Sequence, residues 1–217
     1  MITALLCDVD GTLVDTNYLH TVCWWQAFSE ADHRVPMAAI HRAIGMGADQ
    51  LVPHLLDGRT DADLGARHNQ LFGHYWPSLQ PTSGAAALLR AVAQRGVRVV
   101  LASSAGADEL AALRKAIDAA EAISGVAHAD DVETSKPAPD LVHRALEVAG
   151  AGPAQAVFLG DTVWDIQAAH QAGVTCIAVT CGGISEAELR DAGAEEVYRD
   201  PAAVLEAYAD SVLSRLT

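Results

Sequence analysis

The chain has 217 residues, 51% of them hydrophobic and only 5% aromatic, with 28 acidic side chains against 14 basic ones and a formal charge of −14. That length suits one α/β domain with a smaller insertion, and that charge repels a phosphate backbone, which excludes nucleic acid as a partner. No apolar run approaches the roughly 20 residues of a membrane-spanning helix, and the start MITALLCDVDGTL lacks the basic segment of a signal peptide, so a cytoplasmic protein without membrane contact is expected.

Taken in chain order, Ile2 to Cys7 is a strand-length apolar run. From Thr16 to about Gln80 no such run occurs, only helical periodicity. Leu19, Val22, Cys23 and Trp25 to Phe28 form the apolar stripe of a first helix after Asp15-Thr16. Met37 to Ile44, Asp49 to Leu56 and Asp61 to Trp76 predict three more, punctuated by Gly45, Gly47, Gly58, Pro77 and Pro81. Buried-strand runs then return at Val97 to Ala102, Ala156 to Leu159 and Val174 to Val179. Each follows a helix-like stretch that stops near Gly96, Gly150 or Gly173. Glu195 to Tyr198 reads as an edge strand, and Ser185 to Thr217 as elements closing the core without chemistry. Strand–helix alternation of this kind predicts a Rossmann-like parallel sheet covered on both faces, with a helical bundle inserted after the first strand. Cys7, Cys23, Cys176 and Cys181 form no CxxC pair and read as reduced thiols.

Three of the strand runs end in residues suited to chemistry: Asp8, Ser103, and Gly160-Asp161. An acid or serine there is commonly a helix N-cap. Three converging at the carboxyl edge of one parallel sheet, where ligands bind, point instead to a shared site. In Asp8-Val9-Asp10-Gly11-Thr12, Gly11 permits a tight turn that brings backbone N–H groups and Thr12 toward an anion. Two acids two residues apart can divide labour: one attacks phosphorus while the other protonates the leaving oxygen.

Four strings in order carry a resemblance: DVDGTLVDT at 8–16, VVLASS at 99–104, SKPAPD at 135–140 and GDTVWD at 160–165. Together they resemble the haloacid dehalogenase (HAD) superfamily, in its phosphatase and phosphomutase branch with a helical cap. The resemblance implies a core of residues 1–15 and 81–217 and a cap of residues 16–80. It implies Asp8 as nucleophile and Mg²⁺ ligand, and Asp10 as general acid/base lending its carbonyl to the metal. Ser103, helped by the Ser104 backbone, would bind phosphoryl oxygens, and Lys136 would offset their charge. Asp161 would bind Mg²⁺, with Asp165 binding it directly or through its neighbours. The physical chemistry agrees, since phosphoryl transfer needs in-line positioning and neutralised charge, and Mg²⁺ favours carboxylate oxygens. Lys136 is one of only two lysines in the chain.

Within that branch, Asp10 argues against dehalogenases, because departing halide needs no proton. A cap without lysine argues against Schiff-base phosphonate hydrolases. What remains is a phosphatase acting on a small phosphorylated metabolite, with a β-phosphoglucomutase-like sugar phosphomutase as the alternative and a catalytically silent binding protein behind both. His20 occupies the position near the cap hinge where such mutases carry a histidine, or it simply packs there. The string 42–49 looks like the cap loop facing the active site, Gly45 and Gly47 allowing close approach. Arg42 then either meets an anionic leaving group or sits in solvent. One of Trp24 and Trp25 is expected in the core of the insertion with the other free to face the cleft, and Trp164 is expected to pack locally. The protein is expected as a monomer or homodimer.

Overall fold

A computed structural model describes residues 3–215; the expected first run from Ile2 and the C-terminal Thr217 reach outside the described residues. In chain order the elements are β1 (Ala4–Cys7), α1 (Asn17–Glu30), α2 (Met37–Ala43), α3 (Ala48–Leu55), α4 (Ala62–Gly73), α5 (Ala85–Ala93), β2 (Arg98–Ser103), α6 (Ala107–Ile117) and β3 (Gly125–His128). They continue as α7 (Asp140–Ala149), β4 (Ala156–Gly160), α8 (Val163–Gln171), β5 (Thr175–Val179), α9 (Glu186–Asp191), β6 (Glu196–Tyr198) and α10 (Pro201–Glu206). The strands form one parallel sheet in the order β3-β2-β1-β4-β5-β6. The chain winds outward from β1 in both directions, so a crevice opens beyond the carboxyl ends of β1 and β4.

The central strands β1, β2, β4 and β5 are mostly apolar because both faces are covered. With side chains alternating along each strand, Leu5, Cys7, Val99, Leu101, Val157 and Leu159 join one core cluster with α5, α6 and helices of the insertion. Ala4, Leu6, Val100, Ala102 and Phe158 join the other with α7 and α8. Gly96, Gly150 and Gly173, expected as helix stops, all have positive φ. The sequence reading passed over β3. Its four residues, Gly-Val-Ala-His, carry little apolar surface, and they are recruited by pairing with β2 from Val100↔Gly125 to Ser103↔His128. A side chain at Gly125 would overlap Val148 of α7, so this weak strand is also where a helix lies close on the sheet.

Between β1 and α5 the described residues contain helices and no strand. α1 packs on α4 through a buried stripe of His20, Cys23, Trp24, Ala27 and Phe28 facing Leu64, His68 and Phe72. Val22 and Trp25, assigned to the stripe in the sequence reading, are exposed. The 3.6-residue period sets Trp25 a full 100° from Trp24, and only one of the two can face α4. Among the described residues all four cysteines are free, three of them buried. No described helix is long and apolar enough to cross a membrane.

Candidate active site

β1 ends on the buried Asp8, and the chain then turns sharply. Leu13 N–H donates to Val9 O and Gly11 N–H to Val14 O, with Gly11 at φ +77°. A side chain at Gly11 would also overlap Asn17 Nδ2 and Asp161 Oδ2. Glycine is therefore required twice over, for its left-handed backbone and for close approach. The turn places Thr12 between strands: its hydroxyl lies 2.8 Å from Asp161 Oδ1 and 3.2 Å from Asp8 Oδ2. Expected to face an anion, Thr12 is instead fully buried as a tie between two carboxylates.

Asp161 follows β4 and Asp165 lies in the first turn of α8. The three acids Asp8, Asp161 and Asp165 are buried and offer oxygens within 4.8 Å of one another. Lys136, fully buried, donates to Asp8 Oδ1 at 2.5 Å and to Asp165 Oδ1 at 2.8 Å. Burial disfavours its charge, but Asp165 and Asp8 outweigh burial and hold the ammonium protonated. Asp165 Oδ2 accepts from the Thr162 hydroxyl and backbone N–H, closing a capping box. Asp165 thus serves the first turn of α8 with one oxygen and the charged cluster with the other.

One lysine among three carboxylates leaves an excess of buried negative charge. Burial raises the Asp8 carboxyl to about 7 against the pull of Lys136, with Asp165 and Asp10 adding to the rise. Asp161 is raised well above the carboxylate range, again by burial first and then by Asp8 and Asp165. Hard oxygen donors converging with uncompensated charge fit a small divalent cation. Asp161 is held for such a role by Thr12 on one oxygen and by Asn17 Nδ2 at 2.7 Å on the other.

Asp10 faces away from this cluster. Its Oδ1 accepts from Thr16 Oγ1 at 2.7 Å and lies 3.1 Å from His20 Nε2. His20 Nδ1 lies 3.0 Å from His68 Nε2, and His68 Nδ1 is 2.9 Å from Asn69 Oδ1. Asn69 Oδ1 only accepts, so His68 Nδ1 carries the proton, its Nε2 accepts, and His20 Nδ1 donates to it. His20 Nε2 and Asp10 Oδ1 then share one proton. Burial, reinforced by the charge of His20, keeps His68 neutral with a pKa of about 3. Burial works against ionisation of Asp10, but the His20 hydrogen bond and charge outweigh it and lower its pKa. Glu109 stands 3.8 Å from His20 Nε2, pushed up to about 7 by burial against the pull of His20. Asp10 and His20 belong to this hydrogen-bonded chain, and Glu109 stands beside it as a charge partner of His20.

Asp8 and Asp10 open onto a cavity of about 360 Å³ lined also by His20, Trp24, His68 and Glu109. The loop between α2 and α3 forms its opposite wall, including Gly45 and Gly47. A side chain at Gly45 would sit 2.6 Å from Thr162 Oγ1, and one at Gly47 2.5 Å from Ser135 Oγ. The glycines let this loop touch the strand-end loops: Gly47 N–H donates to Ser135 Oγ at 3.0 Å, and Ser135 Oγ donates to Asp49 at 2.5 Å. Ser104 lines the cavity, its hydroxyl 3.4 Å from Gly45 O. Ser103 is buried behind it, accepting from Ala105 N–H at 3.1 Å.

Arg42 takes the solvent alternative. It is absent from the cavity wall, and its exposed guanidinium pairs with Glu188 at 2.7 Å. The cause is Trp164, whose Nε1–H donates to Arg42 O at 2.8 Å and pins the end of α2 over α8. Trp164 therefore bridges to the insertion rather than packing locally. Trp24 both packs on His68 and lines the cavity, while Trp25 faces outward. Asn17, His68 and Glu109 went unnoticed in the sequence. Only Asn17 carried a signal, lying one residue beyond DVDGTLVDT; the other two look like ordinary helix residues.

A family model for haloacid dehalogenase-like hydrolases matches residues 2–173. The phosphoglycolate phosphatase of Rhodospirillum rubrum is 30% identical over 213 residues, covering 91% of this chain and 87% of that protein. Among solved structures, a hydrolase from Pseudomonas syringae superposes with a TM-score of 0.90 at 29% identity, covering 96% of this chain and 98% of its own. CbbY from Rhodobacter sphaeroides in complex with phosphate does so at 0.76 and 25%, covering 94% and 96%. With the strand-end acids and the parallel sheet already described, these matches place the chain in a family: it belongs to the haloacid dehalogenase-like hydrolases.

Proposed function

We propose that the protein is a Mg²⁺-dependent phosphatase that hydrolyses a small phosphate monoester through an aspartyl-phosphate on Asp8. The observation that carries this reading is the division between the first two acids. Asp8 is bound to Lys136 within the carboxylate cluster, while Asp10, two residues on, is bound to His20, and both open on one cavity. An Asp8 oxygen attacks phosphorus, and the bond from phosphorus to the ester oxygen breaks. The proton held between His20 Nε2 and Asp10 Oδ1 passes through Asp10 to the departing alkoxide, leaving His20 neutral. Asp10, now a base, takes a proton from water as that water attacks the acyl phosphate, which releases inorganic phosphate, frees Asp8 and restores the proton shared with His20. Lys136 opposes the effect of burial on Asp8, favouring its ionised form, and orients it. Ser104 and the backbone N–H groups after β2 would hold the phosphoryl oxygens, with Ser103 fixing that turn from behind. Asp8, Asp161 and Asp165, with the Asp10 carbonyl, would hold Mg²⁺, which when bound offsets the charge of Asp8 and of the phosphoryl group.

Residues 16–80 would act as a cap on the core formed by 1–15 and 81–217, supplying the cavity wall that excludes water during transfer. The names of the R. rubrum relative and of CbbY in complex with phosphate support phosphate-ester chemistry. Phosphate release from small esters in the presence of magnesium tests the reading, with Asp8→Asn as the control. Release by the wild type alone is expected; equal release by the variant would remove Asp8 from its role.

A further inference from the structure

The cavity beside Asp8 and Asp10 has a one-sided chemistry. Six carboxylates line it: Asp8, Asp10, Asp49, Glu109, Asp130 and Glu133. No lysine or arginine does; His20 on the wall is held between Asp10 and Glu109, and Arg42 is committed to Glu188 outside. Even if Asp8 and Asp10 are occupied with a phosphoryl group, four acids remain around the space left for the rest of the substrate. Asp49 is fixed there by the Ser135 hydroxyl at 2.5 Å and backbone N–H at 3.3 Å. Glu109 is nine-tenths buried and faces His20 Nε2 at 3.8 Å, beyond hydrogen-bond distance. A buried carboxylate whose nearest cation lies beyond hydrogen-bond distance keeps acceptor capacity for a ligand donor in the cavity.

We infer that the substrate's leaving group presents hydrogen-bond donors and no anion, making it a phosphomonoester of a small polyol or amino alcohol rather than of a hydroxy acid or a second phosphate. The inference rests on the reading of this cavity as the phosphatase site. Hydroxyl or ammonium groups would satisfy Glu109 and the Asp49 edge, and the face of Trp24 completes an apolar side. A carboxylate or second phosphate would meet like charge on several sides. One negative charge held about 6 Å from a single wall carboxylate, at an effective dielectric constant of about 40, loses roughly a factor of ten in affinity. In this respect the site differs from what the name of the R. rubrum relative would suggest, since phosphoglycolate releases an anionic alcohol.

The test uses three esters with two-carbon leaving groups at pH 8 with magnesium: phosphoglycolate, 2-hydroxyethyl phosphate and phosphoethanolamine. The expected kcat/KM for the neutral and cationic esters exceeds that for phosphoglycolate at least tenfold. In Glu109→Gln/Glu133→Gln the gap narrows severalfold. Phosphoglycolate turned over as well as the other two, or a gap unmoved in the double variant, would overturn the inference. Titration calorimetry of the same esters against Asp8→Asn separates it from the parent reading. If no ester releases phosphate, the phosphatase reading fails, yet the ranking of affinities still decides the charge preference.

Discussion

Replacing the nucleophile should make the metal-free protein more stable, by an amount the site itself sets. Asp8 titrates near 3.8 as a free carboxyl and at about 7 when folded, because burial outweighs the attraction of Lys136. A raised carboxyl pKa means that folding favours the neutral form. The stability this contributes is complete below about 3.8 and is lost as pH rises to about 7. At 1.36 kcal/mol per unit the loss is about 4 kcal/mol. Asn resembles the neutral acid and cannot ionise, and the pull of Lys136 on the charged form is already contained in the value of about 7. Asp8→Asn should therefore match the wild type near pH 4 and exceed it by about 4 kcal/mol at pH 8. The gap should grow by about 1.4 kcal/mol per pH unit between about 3.8 and 7 and level off above. For a chain of this size that is roughly 8–16 °C in Tm. The assay is urea and thermal unfolding of both proteins in chelator from pH 4 to 8, repeated with excess magnesium. Magnesium should shrink the gap by offsetting the charge in the wild type. A variant no more stable than the wild type at pH 8, or a gap independent of pH, would refute the picture of Asp8 as a carboxylate ionised at the fold's expense.

Lys136→Met leaves Asp8 and Asp165 facing each other without a cation, and should cost about 3–5 kcal/mol at pH 8; an unchanged urea midpoint would argue against Lys136 as the cation that holds the two side chains together. Asp10→Asn should reduce turnover of alkyl phosphates at least tenfold more than that of p-nitrophenyl phosphate, whose leaving group needs no proton; equal losses would argue against Asp10 as the acid. Gly182→Ala should preserve far-ultraviolet circular dichroism but weaken magnesium binding about tenfold or more by calorimetry, because its Cβ would overlap Asp161 Oδ2 and displace that carboxylate. Unaltered affinity would show that Asp161 can move without consequence.

What the sequence makes legible here follows from where each residue sits on the chain. Asp8 and Asp161 stand directly after strands, and a parallel sheet delivers all such residues to one edge, so local pattern and a general rule of topology suffice. The helical insertion was equally readable, since its period persists for some sixty residues. β3 was not, because its membership comes from pairing with β2 and its own four residues are nearly featureless. Arg42 shows a different limit. Its chemistry and its neighbouring glycines fitted a role in the cleft, yet its direction was decided by a tryptophan 122 positions away that takes its carbonyl.

His68 and Glu109 show why the wall of the site was harder to read than its floor. Each lies on a helix, α4 and α6, whose local sequence explains it fully, as a residue of the α1 contact and as a first-turn acid favoured by the helix dipole. Only when α1 carries His20 over the end of β1 do the two converge with Asp10. The floor of the site is specified by residues that must act on the same atom whatever the substrate, which concentrates them in short strings. Its wall is assembled from single residues on separate helices, each replaceable without disturbing its own helix. The charge of that wall, and with it the choice among phosphate esters, is thus set by tertiary contacts that no short string encodes.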